Sequence, residues 1–130
     1  MIVIQHGARP LVFSHERLDV YRLAIEFAAW AHPITDALPS NDPTRSQLAR
    51  ASISIPLNIA EGNAKSSKRD RARFWQIALG STFECAAILD VLVVRSFKTE
   101  DEIIDVKKQL ERIAAMLIRL LQNLGDRVLE

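Results

Sequence analysis

Cysteine is almost missing from this chain: Cys85 is the single thiol, so no internal disulfide can form and the fold must be held by packing alone. A reducing, cytoplasmic home is the simplest one for such a protein. Cys85 itself lies in an apolar run and reads as a small packed hydrophobe rather than a nucleophile. Glycine is scarce as well, with four residues, and none builds a phosphate-cradling loop. The three histidines, His6, His15 and His32, all lie early, and none follows a glutamate at the offset that carboxylate-bridged metal bundles use. There is no Cys/His zinc spacing and no serine in a nucleophile elbow. These absences lead us to expect no enzyme, no metal and no cofactor. An excess of charge of one sign is missing too: 17 basic residues face 16 acidic ones, for a net charge of +1. Any attraction to a polyanion must therefore come from local clustering. The apolar patches of residues 1–13 are too short for a signal core or a membrane span, so we read a flexible N-terminal arm and expect no membrane partner.

What the chain does have is 48% hydrophobic and 25% charged residues over 130 positions, the composition of one packed helical domain. Val20, Ala24, Phe27, Ala31, Ile34 and Leu38 alternate steps of four and three, which predicts a first helix over about 15–38, with Ser14 as N-cap and a kink at Pro33. Asp42-Pro43 starts a second helix over 43–61, which Gly62 ends as a C′ residue. Ser67 opens a third over 68–95, and the Thr99-Glu100-Asp101-Glu102 capping box opens a fourth over 100–124, closed by Gly125. Residues 126–130 remain as a tail. Short joints make an antiparallel up-down-up-down four-helix bundle the simplest all-α topology. The third helix carries two regular apolar rows, Phe74, Ala78, Ser81, Cys85, Ile88, Leu92 and Trp75, Leu79, Thr82, Ala86, Leu89, Val93. A lone bundle needs fewer, so we expect subunits to associate.

Three blocks carry a resemblance: Leu18-Asp19-Val20-Tyr21, the stretch from Ala51 through Ser54-Ile55-Pro56-Leu57-Asn58-Ile59-Ala60-Glu61-Gly62, and Ala78-Leu79-Gly80-Ser81-Thr82-Phe83-Glu84. Together the chain from about Phe13 to Leu124 resembles the four helix bundle family named for proteins encoded in intervening sequences of bacterial 23S ribosomal RNA. That family is similar to the accessory variability proteins of diversity-generating retroelements, which form barrel-shaped homopentamers and bind nucleic acid beside a reverse transcriptase. The resemblance implies a ring-like homopentamer here, with RNA, DNA or a nucleic-acid enzyme such as a reverse transcriptase as partner. The retroelement proteins are strongly basic, which this chain is not.

Two sets of residues are candidates for function. Lys65, Lys68, Arg69, Arg71 and Arg73, opposed by Asp70, form a basic run between the second and third helices, and Arg45 and Arg50 lie on the second. They suit phosphate contacts, or else a solvated face paired with acids of a neighbouring helix or subunit. Asn58, Glu61, Ser81 and Glu84 match the family pattern and sit in apolar surroundings. They suit either a ligand site or a hydrogen-bonded network that fixes helix register, and the residue types favour the network. The leading expectation is a binding scaffold; its rivals are a purely structural interaction module and, more remotely, a small enzyme built on Glu61 and Glu84.

Overall fold

The computed structural model describes residues 13–125, and these are all-α: a 3-10 turn, Ser14–Arg17, precedes α1 (Asp19–Ala37), α2 (Pro43–Ala64), α3 (Lys68–Val94) and α4 (Glu100–Asn123). The expected arm, apart from Phe13, and the tail at 126–130 lie outside the described residues.

Local chemistry sets most helix ends. The Asp42 carboxylate accepts the Thr44 N–H at 2.9 Å, and Pro43 occupies the first helical position, where its missing donor is not needed. Ser67 Oγ accepts the Asp70 N–H at 3.1 Å. At α4 the capping box is complete: Thr99 Oγ1 accepts the Glu102 N–H, and Glu102 Oε1 accepts the Thr99 N–H at 3.0 Å. Gly125, at φ +105°, follows the C-cap Leu124.

Two expected boundaries move. Ser14 does not cap α1; its hydroxyl accepts from Asn63 Nδ2 at 2.7 Å, which ties the 3-10 turn to the end of α2, and α1 begins after Leu18. Gly62 does not end α2, which continues to Ala64. Gly62 is buried, and a Cβ there would stand 2.4 Å from Trp75 Cδ1 and 3.2 Å from the Arg71 carbonyl oxygen. Glycine is needed for close approach of α3, not for a left-handed turn. Both α1 and α2 also continue through an internal proline, Pro33 and Pro56.

Each helix packs on the next, and α1 packs on α4, so the contacts close around one core that includes Phe27, Leu48, Ile55, Leu89, Ile113 and Leu117. Full burial of each such side chain contributes about 1.5–3 kcal/mol. The two apolar rows of α3 are both covered inside the chain, because α3 touches α2 and α4. Ala78, Ser81, Cys85 and Leu92 of one row and Trp75, Thr82 and Leu89 of the other are buried. The second row therefore does not call for a second subunit, as its regularity had suggested. α3 is nevertheless long and apolar enough to cross a membrane, with a mean hydropathy of 1.9 in its most apolar window. Part of that excess lies on a third stripe that no helix among the described residues covers.

Candidate functional site

The basic residues do not form one surface. Arg45 Nη1 donates to the Leu38 carbonyl oxygen at 2.9 Å, satisfying the end of α1. Arg50 pairs with Glu84 across the α2–α3 junction. Arg71 does for α2 what Arg45 does for α1: its Nε donates to the Lys65 carbonyl oxygen at 2.6 Å and its Nη2 to that of Asn63 at 3.4 Å. Arg45 and Lys65 stand at opposite ends of α2, about 30 Å apart at 1.5 Å per residue.

The remaining four do converge. Lys65 Nζ lies 5.1 Å and the Arg73 guanidinium 4.9 Å from the centre of the Phe74 ring, so two cations approach one aromatic ring. Lys65 also approaches Glu61 at 3.7 Å, one turn earlier on α2. Lys68 and Arg69 are exposed on the first turn of α3 and form no ion pair among the described residues. A cationic corner of Lys65, Lys68, Arg69 and Arg73 thus surrounds the α2–α3 joint.

The polar cluster divides. Ser81 Oγ is 2.8 Å from Ser54 Oγ, and Asn58 Nδ2 donates to Ser54 Oγ at 3.1 Å and to the Ser54 carbonyl oxygen at 2.8 Å. Ser54, which the sequence had not singled out, is the hub of this network. Its helical spacing from Asn58 was the available signal, since residues four apart share a face. Glu84 faces Arg50 and Glu61 faces Lys65, so the two carboxylates have different partners and share no network. The Ser54–Ser81 bond joins α2 to α3, and the cluster does not bring Glu61 and Glu84 together as paired carboxylates.

Sequence reasoning named Asp42 as a helix start, Trp75 as part of an apolar row and Cys85 as a packed hydrophobe, but not the tertiary partners of Asp42 and Trp75. Asp42, besides capping α2, accepts from Thr44 Oγ1 at 2.6 Å and pairs with Arg95 at 2.5 Å, tying the α1–α2 joint to the end of α3. Those hydrogen bonds from the Thr44 hydroxyl and N–H, with the Arg95 charge, hold its carboxyl below the usual range. Trp75 Nε1 donates to the Ile59 carbonyl oxygen at 3.2 Å, which ties α3 to the second half of α2. Burial pushes the Cys85 thiol up to about 12, with the Glu84 charge acting in the same direction. At that value Cys85 is a packing residue at neutral pH. Among the described residues no group of three His, Cys, Asp or Glu side chains could hold a metal ion.

Comparison with known proteins places this geometry. No curated protein matches the chain. The fold is similar to the crystal structure of a protein with unknown function from the S23 ribosomal protein family of Bacteroides thetaiotaomicron VPI-5482, with a TM-score of 0.73 and 23% identity over 78% of this chain and 97% of that one. A family model for the 23S rRNA-intervening sequence protein matches residues 16–119, which include all of α1, α2 and α3 and most of α4. The chain belongs to the 23S rRNA-intervening sequence protein family.

Proposed function

We propose that this protein is a non-enzymatic, cytoplasmic scaffold, an up-down-up-down bundle whose copies assemble into a ring-like homopentamer and engage the phosphate backbone of RNA or DNA. The short joints at 38–42, 65–67 and 95–99 between helices that pack in chain order support the antiparallel topology. One observation carries the binding reading: Lys68 and Arg69 are exposed beside Lys65 and Arg73, at the positive end of α3, and lack carboxylate partners among the described residues. A ring repeats that corner once per subunit, so a weak site becomes an avid one on a polymer. The partner would be a nucleic acid, alone or held by an enzyme such as a reverse transcriptase.

The test is a salt titration of RNA and DNA binding. Four cations per subunit predict a slope of log K against log salt of about −3 to −4 for each engaged corner. The double variant Lys68→Glu, Arg69→Glu abolishes binding while leaving the thermal melt in place, because neither side chain holds the fold. Absence of binding at low salt refutes this reading and leaves the second one, a protein-interaction module without nucleic acid, which the uncovered apolar stripe of α3 favours.

A further inference from the structure

Most aromatic rings of this chain serve its packing. Phe27 and Trp75 are buried in the core, and Tyr21, Trp30 and Phe97 pack against it, with Trp30 and Phe97 lining an outer groove of α1 beside Pro33. Phe74 does neither. It is half-buried, stands outside the core, and stacks on no other ring among the described residues. Its neighbours are charged instead: Lys65 Nζ and the Arg73 guanidinium stand 5.1 Å and 4.9 Å from the ring centre, and Lys68 and Arg69 are exposed on the turn before it. One turn further along α3, at Ile77, the uncovered stripe through Gly80 and Val91 begins, and it carries none of these cations.

The ring has a rigid seat. Its chain neighbour Trp75 is held at the close approach to Gly62 and by its bond to the Ile59 carbonyl oxygen, which pins this turn of α3 on α2. Arg71 holds the joint below it through the carbonyl oxygens of Lys65 and Asn63, and Ser67 caps the helix. The corner is therefore ordered before any ligand arrives, which removes part of the cost of binding. It also combines two kinds of contact. Cations take phosphates from a duplex and from a single strand alike, with Glu61 competing for Lys65 at 3.7 Å. An aromatic ring takes the face of a base, which a duplex keeps inside its stack and a single strand offers.

We infer that the α2–α3 corner is a site for single-stranded RNA or DNA, with an unstacked base laid on the Phe74 ring and the phosphates beside it held by Lys65, Lys68, Arg69 and Arg73. This rests on the phosphate-binding part of the function proposed above and states which form of nucleic acid that site takes. Lys65 and Arg73 already lie beside the ring, so the step that seats a base brings its phosphates within their reach. Stacking of one base on one aromatic ring strengthens binding by roughly 5- to 150-fold and accepts any base. It adds no ionic contact, so it raises affinity without altering the salt slope and persists where salt has weakened the phosphate contacts.

The experiment uses the full chain and labelled probes short enough to meet one corner: an oligothymidylate, an abasic strand of the same length and a blunt-ended duplex, with fluorescence anisotropy read over a series of salt concentrations. The oligothymidylate binds roughly 5- to 150-fold more tightly than the abasic strand, and at the upper end of the series more tightly than the duplex. Phe74→Leu removes the advantage over the abasic strand and leaves duplex affinity and salt slope as in wild type, while Phe74→Tyr, which keeps a ring, binds as wild type does. An abasic strand that binds as well as the oligothymidylate, a duplex that is the tighter ligand at every salt concentration, or a Phe74→Leu variant that weakens strand and duplex alike overturns the single-strand site. Phosphate binding that is still lost in Lys68→Glu, Arg69→Glu then leaves the backbone reading standing. No binding of any probe at low salt overturns both. Intact and abasic strands are compared on wild type, so the result stands even where Phe74→Leu fails to fold.

Discussion

Replacing Gly62 by alanine tests the α2–α3 packing most directly. The new methyl carbon would sit 2.4 Å from Trp75 Cδ1 and 2.5 Å from Trp75 Nε1, inside any tolerable contact. Either the indole shifts or the helices separate. Overpacking of this kind costs about 1–3 kcal/mol. Displacing Trp75 also breaks its bond to the Ile59 carbonyl oxygen, for about 1 kcal/mol more. The better helix propensity of alanine returns about 1 kcal/mol. The net expectation is a loss of about 1–3 kcal/mol, with the midpoint temperature falling by roughly 3–6 °C per kcal/mol in a domain of this size. Urea unfolding followed by tryptophan emission measures it. Gly80→Ala is the matched control, since its methyl group meets nothing within 4 Å; in dilute monomer it gains up to about 1 kcal/mol. If Gly62→Ala proves as stable as wild type, or both glycines respond alike, the packing account of Gly62 is wrong.

Acid should weaken the fold through Asp42 and Glu102, whose carboxyls are held low chiefly by hydrogen bonds from Thr44 and Thr99. A carboxyl with a lowered folded pKa contributes stability above its unfolded value, near 3.8 for Asp42, and loses it as pH falls through the folded value. Denaturation midpoints measured down to about pH 2 will therefore fall less steeply in Asp42→Asn than in wild type. Iodoacetamide at neutral pH should leave native Cys85 unmodified and label it after unfolding in urea, as read by mass spectrometry. Thr99→Ala should cost about 1 kcal/mol in urea unfolding, through loss of the reciprocal cap of α4.

The signals that could be read from sequence were the local ones. Asp42-Pro43, Ser67 and Thr99 act on residues two or three positions away, so their chemistry is visible in a short window, and all three caps form. Gly62 was misread because its partner Trp75 lies on another helix, and a buried close approach leaves the same one-letter trace as a helix stop. The basic set failed as a unit for the same reason. Arg45, Arg50 and Arg71 look like Lys68 and Arg69 in composition, yet tertiary contacts direct the first three to helix ends and to Glu84. The two apolar rows of α3 were seen correctly, but their covering by α2 and α4 was not, and the uncovered stripe through Gly80 follows only from knowing which sides are taken.

The two indoles sit at different depths. Trp75 is sealed in the core with its N–H engaged, whereas Trp30 stacks on Phe27 at 6.0 Å and lines the outer groove. A spectroscopist therefore needs no added dye: the emission of Trp75 reports whether the chain is folded, and that of Trp30 reports whether anything has come to rest beside it. Single replacements by phenylalanine would separate the two signals in one cuvette.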